Sequence, residues 1–376
     1  MIIYILLILI VILLLLYLFY KYKYQFWSRQ PVFHYHNLWY WMFPPGIIQQ
    51  NKPKLDKYYD IKIKFHEIAT LPTEKKTLLA SFIKSNYLLN KNEKYVPTSN
   101  AILDYFKFHN DKSYVSLNYH NKGLKAIMTT RPLDCIIDKT KIKLYYVDYL
   151  CVHKQHRKQG VAPKTIYTHY VNHRSKHNNI VFLFKREGEV TLIVPLTIFK
   201  SYIYDISRWD KKVEFDQPQI EPIILSKQTY HFFVDLFEDI KGSFDCYIVP
   251  NFTNLLELCK RQHLFITGLM INKKIVALYV FRDTYTNYDG ENSMEFNNSY
   301  NNTSDEIFTV GFFKCINMIN KIKPFNKLII ENLSNNDIII NVLHRKYSPI
   351  FTTISSYYFY NFAYIPKFSN DTFILN

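Results

Sequence analysis

The sequence predicts an α/β protein preceded by one transmembrane helix. Three observations carry this reading. Residues 1–20 hold no charged side chain and are almost wholly Ile, Leu, Val, Phe and Tyr, and a helix of about 20 residues spans a hydrocarbon core of about 30 Å. After them, pairs of short apolar runs alternate with helical patterns, which argues α/β rather than segregated helices and sheets. From about Asp210 the alternation begins again. A chain of 376 residues, 48% hydrophobic and 17% aromatic, is long enough for two ordinary domains or one double-sized one and fills a large core.

Taken in order, the apolar run is followed by Lys21, Lys23 and Arg29. The positive-inside tendency therefore places the body of the protein in the cytosol. No basic segment precedes the run and no small-residue cleavage site follows it, which argues against a removable signal peptide. Tyr17, Tyr20, Tyr22 and Tyr24 fall at the membrane interface. Residues 21–59 form an arm rich in aromatics and proline, with Phe43-Pro-Pro-Gly46 forcing a turn. The first half, 60–209, reads as helices at 71–83 and 98–106, paired strands at 113–119 and 123–130, a strand at 144–152, a helix at 164–171, and short strands at 180–184 and 191–194. The second half, 210–376, reads as a helix at 227–237, a hairpin of 264–271 with 274–281, a helix at 311–320, and late strands at 327–331 and 357–361.

Composition narrows the function. The net charge of +16 is spread along the chain with no dense basic run and no nucleic-acid module, so a polyphosphate cofactor and an anionic membrane surface explain it better than DNA or RNA. Five cysteines, Cys135, Cys151, Cys246, Cys259 and Cys315, show no C-x-x-C spacing. They predict neither a zinc site nor a disulfide framework, and no metal is expected. The Asn-rich patch at 297–303 reads as a loop.

The chemistry concentrates in one stretch. Tyr149-Leu-Cys-Val152 ends an apolar strand, His153 to Gly160 forms a basic turn, and a helical pattern follows. Free N–H groups at such a helix start, its dipole, and nearby Arg157 and Lys158 make a phosphate site. Gly160 lets the backbone close on phosphate oxygens with no Cβ in the way.

Three segments carry a family resemblance. Asp148-Tyr-Leu-Cys-Val-His-Lys-x-x-Arg-x-x-x-Val-Ala-Pro163 resembles the signature of glycylpeptide N-tetradecanoyltransferases (N-myristoyltransferases). Tyr24-Gln-Phe-Trp-Ser-Arg-Gln-Pro-Val32 resembles that family's acyl-CoA-binding arm, and Tyr357-Tyr-Phe-Tyr-Asn-Phe362 its last core strand. The resemblance implies a tandem GNAT-like (acyl-CoA N-acyltransferase) fold of two mixed-sheet halves, and transfer of a myristoyl group from myristoyl-CoA to the N-terminal glycine amine of proteins, by a monomer without metal. It assigns the oxyanion hole to backbone N–H groups at Tyr149 and Leu150, and the general base to the α-carboxylate of Asn376. It assigns acyl-CoA contacts to Gln25, Phe26, Trp27, Leu150, Cys151, Val152, Arg157, Lys158, Gly160, Val161 and Ala162, and contact with the substrate glycine to Tyr95. The chain departs from the family at Tyr149, usually Phe, and at Gly160, often basic. It also lacks the acidic, glycine-rich turn before the last strand, where it has Pro349-Ile-Phe-Thr-Thr353. Residues 194–202 read as a degenerate peptide-lining loop. Two other readings remain: an N-acetyltransferase of the same superfamily, and a catalytically inactive, membrane-tethered protein that binds acyl-CoA or a peptide.

Overall fold

The computed structural model describes residues 2–88, 93–121, 123–188, 192–209 and 220–376. Among these, fifteen strands join one mixed sheet. Its architecture is a repeated unit. In the first copy, Gly123–Ile137 and Thr140–Val152 form an antiparallel hairpin, helix Val161–Lys176 follows, and Val181–Glu187 returns parallel to the hairpin's second strand. In the second copy, Lys274–Tyr288 and Glu291–Asn301 form the hairpin, Asp305–Ile322 is the helix, and Lys327–Glu331 is the parallel strand. A parallel return needs a crossover of a dozen or more residues, and the helix supplies it.

The strand that follows each unit crosses to the other one. Thr197–Asp205 pairs with Lys327–Glu331 of the second unit, Phe351–Tyr360 pairs with Val181–Glu187 of the first, and the two crossed strands pair with each other. The units are thus fused into one sheet. At the far edge of the first unit, Cys246–Val249 pairs with Gly123–Ile137 and carries the last strand, Thr372–Ile374, parallel on its other side. The start of the second unit expected near Asp210 lies outside the described residues.

Most elements follow from their residue pattern. In helix Asp305–Ile322, Phe308, Phe312, Cys315 and Ile319 recur at helical spacing and pack on Tyr279, Phe281 and Phe296 of the sheet. Gly311 lets that helix approach closely, since a Cβ there would meet the Tyr279 hydroxyl and Leu269. Helix Val161–Lys176 is different: its buried face includes Thr165, His169 and His173. His169 bridges the hydroxyls of Ser116 (2.9 Å) and Thr130 (3.0 Å), and burial lowers its pKa to about 3, so it docks as a neutral imidazole. Arg174 donates to the Gln50 and Asn51 carbonyls, each at 2.8 Å, and so ties the arm to the first unit.

Three expectations change. Thr191 lies outside the described residues, and 192–196 form no strand; only Ile193 makes a bridge, to His34. Pro195 interrupts the run and removes a ladder donor. The strand comes later, at Thr197–Asp205, where Thr197, Phe199 and Ser201 are buried and Ile198 and Lys200 are exposed. Residues 197–202 are therefore ladder, not loop. The Asn-rich patch is likewise strand as far as Asn301, its amides bonded to Ile374 through Asn298.

Helix Ile2–Lys23 is long and apolar enough to cross a membrane. Only Tyr20 along it is buried against the body, so it is not a core helix.

Candidate active site

The hairpin of the first unit loses register at one point. Met128 pairs with Leu150 and Thr130 with Val147, so Asp148 and Tyr149 together face Thr129. Such a bulge interrupts the ladder and re-aims its residues. Here it turns Tyr149 and Leu150 onto a cavity of about 990 Å³, also lined by Trp27, Tyr95, Tyr146 and Arg282. That volume is at the upper end of ordinary ligand sites. The Tyr149 N–H donates to Thr129 Oγ1 at 3.1 Å, so an incoming oxygen would compete with that hydroxyl. The Tyr95 and Tyr149 hydroxyls meet at 2.8 Å, and the Tyr87 ring packs on both.

Past the bulge the strand runs through Cys151 and Val152 into the basic turn. Arg157 spends two donors on structure: Nε to the Val152 carbonyl and Nη2 to the Asn86 carbonyl, both at 3.0 Å. This pins the strand end to helix Thr73–Asn86. Lys158 and Gly160 have φ of +60° and +70°. Gly160 is the residue before helix Val161–Lys176, and no side chain caps that helix. Its first N–H groups have no intrahelical acceptor, and Pro163 removes one of them. The matching helix of the second unit begins differently. Ser304 accepts from Ile307 N at 3.3 Å, and Asp305 and Glu306 occupy the first turn. An anion is favoured at the first helix start and repelled at the second.

The cavity wall also holds a chain of alternating charges that ends at Asn376. Lys185 Nζ contacts Glu331 Oε1 and lies 3.5 Å from Glu295 Oε1. Glu295 Oε2 accepts from Arg282 Nε at 2.8 Å and from its Nη2. Arg282 Nη1 then donates to the Asn376 main-chain oxygen at 3.1 Å and to its side-chain oxygen at 3.2 Å. Burial pushes the Glu331 carboxyl up to about 8, against the pull of Lys185. Burial also acts upward on Glu295, but Arg282 and Lys185 overcome it and hold that carboxyl low. Glu331 Oε2 has no donor partner in the structure, and a proton on it satisfies the oxygen by bonding across to Glu295. Nearby, burial raises Asp148 although Arg131 Nε donates to it at 2.8 Å.

The residues expected from sequence separate into groups. Trp27, Tyr95, Tyr149 and Leu150 share the cavity wall. Trp27 stacks on Phe184, with centroids 5.8 Å apart. Phe26 is buried beside Tyr58, and Gln25 is exposed. Cys151 turns the other way, into a cluster with Ile127 and Leu117, as its place one residue after Leu150 requires. Arg157, Lys158, Gly160, Val161 and Ala162 lie beyond the strand end, with Lys158 and Gly160 exposed. Asn376 is buried behind Arg282.

Lys185, Arg282, Glu295 and Glu331 were not singled out from sequence. Three of them end apolar strand runs, as in Val181-Phe-Leu-Phe-Lys185, Tyr279-Val-Phe-Arg282 and Leu328-Ile-Ile-Glu331, whereas Glu295 sits in the mixed run Asn292-Ser-Met-Glu-Phe-Asn297. A charge at the end of an apolar strand run is a signal for Lys185, Arg282 and Glu331, because a buried charge needs a partner; no local pattern marks Glu295.

No family model matches the sequence, and no curated protein matches it. The similarity lies in the fold. A crystal structure of Saccharomyces cerevisiae N-myristoyltransferase with bound myristoyl-CoA aligns at a TM-score of 0.71 over 92% of this chain and 94% of that one, with 14% identity. A second structure of the yeast enzyme with myristoyl-CoA aligns at 0.69 over 92% and 90%, with 13% identity. A third, with myristoyl-CoA and inhibitors, aligns at 0.69 over 92% of each chain, with 14% identity.

Proposed function

We propose that the protein transfers a fatty acyl group, myristoyl in the reading its structural neighbours favour, from acyl-CoA to the N-terminal glycine amine of proteins. One observation carries the proposal: an uncapped, basic helix start lies at the end of the same strand whose bulge opens onto the cavity. That arrangement suits a ligand with phosphates at one end and a reacting carbonyl further along.

In this mechanism Lys158 and the N–H groups at Gly160, Val161 and Ala162 hold the CoA phosphates. Gln25, Phe26, Trp27, Cys151 and Val152 shape the path of the pantetheine and acyl chain, and Arg157 fixes the turn. The glycine ammonium enters beside Tyr95 and gives a proton to a buried carboxylate. The neutral amine attacks the thioester carbonyl, and backbone N–H groups at Tyr149 and Leu150 stabilise the oxyanion. The C–N bond forms, the C–S bond breaks, and CoA leaves as the thiolate, which takes up the second amine proton. Orientation in the cavity and oxyanion stabilisation supply the rate enhancement without a covalent intermediate.

The α-carboxylate of Asn376 is the first candidate for the proton acceptor. Glu331 is the second, and it is favoured by its place in the cavity wall and its unpartnered oxygen. Helix Ile2–Lys23 anchors the protein in a membrane with the body on the cytosolic side.

Mass spectrometry of a Gly-initiated peptide incubated with myristoyl-CoA and the full chain tests the activity. A mass gain of one acyl group is expected with myristoyl-CoA in preference to acetyl-CoA. The opposite preference would establish an acetyltransferase, and binding without turnover an inactive receptor. Adding one glycine after Asn376 moves the carboxylate while leaving every native side chain in place. If Asn376 is the base, turnover falls about 100-fold or more while acyl-CoA binding persists; unchanged turnover removes it from the mechanism.

A further inference from the structure

We infer that the short helix Leu38–Met42, with Phe43, forms a second membrane contact that lies flat in the lipid interface beside the anchor helix. The inference rests on reading Ile2–Lys23 as that anchor and goes beyond it, because the contact belongs to the body of the protein.

The first support is composition. From Gln30 to Asn51 the chain carries no Asp, Glu, Lys or Arg, although such residues make up 21% of the protein. Two of its four tryptophans, Trp39 and Trp41, fall in this window. Burial lowers the pKa of His34 to about 4 and also lowers that of His36, so neither imidazole adds charge at neutral pH.

The second support is the way the helix divides its side chains. Trp41 and Tyr40 turn inward and pack on Phe33, and the Trp41 indole N–H donates to the Tyr35 carbonyl at 3.2 Å. The other face is apolar and bare. Leu38 is 72% exposed, Trp39 64%, Met42 64% and Phe43 58%. Trp39 and Phe43 touch each other, with ring centroids 4.7 Å apart. A polar surface helix would reverse this pattern.

The third support is position. After the anchor helix the chain doubles back along its last turns. The Tyr20 hydroxyl lies 2.9 Å from His34 Nδ1, and the His36 ring packs on Tyr17 and Tyr20 at 5.7 and 5.3 Å. Tyr17 stands six residues before Lys23, so His36 lies about 9 Å back from the helix end toward the membrane. At 1.5 Å per residue the whole helix is about 33 Å long, close to the thickness of a hydrocarbon core. With Lys21 and Lys23 at the headgroups, its final turns lie where the headgroups meet the outer part of the acyl chains, and helix Leu38–Met42 begins two residues after His36. Tryptophan and tyrosine concentrate at that depth. The occupant of this face is the bilayer that holds the anchor.

The full chain reconstituted in phosphatidylcholine vesicles tests this through tryptophan fluorescence, with lipids brominated near the headgroup end of the acyl chain as quenchers. Bromolipid is expected to quench the wild-type protein, and Trp39→Phe is expected to remove the largest part of the quenching. Trp209→Phe, which alters a buried core residue, is expected to leave it. Carbonate washing of the same vesicles reports on the anchor separately. If the protein washes off, the anchor reading fails and the inference with it. If the protein stays and Trp39→Phe is quenched as strongly as wild type, the second contact alone is overturned. Protection of Trp39 that depends on protein concentration and not on bromolipid would assign the face to a second copy of the chain, and would also overturn it.

Discussion

Replacing Glu331 by glutamine is expected to reduce turnover at neutral pH by about 100- to 1,000-fold, in the range typical of a lost general base, while acyl-CoA binding is unchanged. Glu331 ends a buried strand and reaches the cavity wall, where Lys185 holds one of its oxygens and the other lacks a donor. A buried carboxyl that keeps its proton to about 8 is well matched to an α-amine, whose ordinary pKa is also about 8. Glu295 and Glu331 titrate as a pair, so the upper step belongs to both. Below that step Glu331 is already protonated and cannot accept; above it the carboxylate is available. Wild-type kcat/KM should therefore rise with pH toward about 8 and fall above it as the free glycine ammonium is lost, and the Glu331→Gln enzyme should lose the rising limb. If the variant keeps wild-type turnover, the proton goes elsewhere, and the C-terminal extension decides whether it goes to Asn376.

The same substitution has an opposite signature in stability. The folded pKa of Glu331 lies above its ordinary value of 4.5, so the folded state binds the extra proton between those two values. The associated stabilisation is complete below about 4.5 and is lost as pH rises through about 8. Glutamine removes this dependence. Thermal unfolding at pH 6 and pH 9 should show a smaller pH-dependent decline in Tm for the variant than for wild type. A change in both slope and turnover identifies a proton-holding group, which a merely structural residue would not mimic.

Arg282→Ala is expected to have the largest effect on stability, about 3–5 kcal/mol, the cost of stranding a buried charge. Its guanidinium grips Glu295 through two nitrogens and the Asn376 oxygens through the third. Lysine has no planar fork and should recover only part of the loss. Adding Glu295→Gln to Arg282→Ala should return much of it, because the orphaned carboxylate is removed as well. Denaturant unfolding of the two single variants and the double variant measures this coupling. Additive losses would mean that the two residues are not energetically paired.

How much was legible in the sequence depended on the kind of signal. The hairpin of 264–271 with 274–281 and the helix at 311–320 announced themselves through apolar periodicity, and the structure extends them only at their ends. The helix after Gly160 was legible along 164–171, and the structure extends it to Val161 at one end and Lys176 at the other; the ends were hidden because Pro163 stands in the first turn and His173 and Arg174 take buried places in the last. The strand at Thr197–Asp205 was missed because it follows Pro195 and its faces are mixed, with polar Thr197 and Ser201 buried and apolar Ile198 exposed. The residues at the cavity bulge came from a motif, whereas the ion chain did not. Arg282 and Glu295 face each other in the second unit's hairpin and Glu331 ends the strand beside it, but Lys185 comes from the first unit and reaches them only through the crossed strands.

The crossed strands have a consequence for biogenesis. While the chain emerges from the ribosome, Val181–Glu187 has no partner on its open edge until Phe351–Tyr360 has been made. Nearly half the polypeptide must be synthesised in that interval, with an apolar ladder edge uncovered. Long-range pairing of this kind slows folding and invites aggregation. Production of the first unit alone should therefore give insoluble protein, and supplying the later segment in trans should rescue it only if both are present during synthesis.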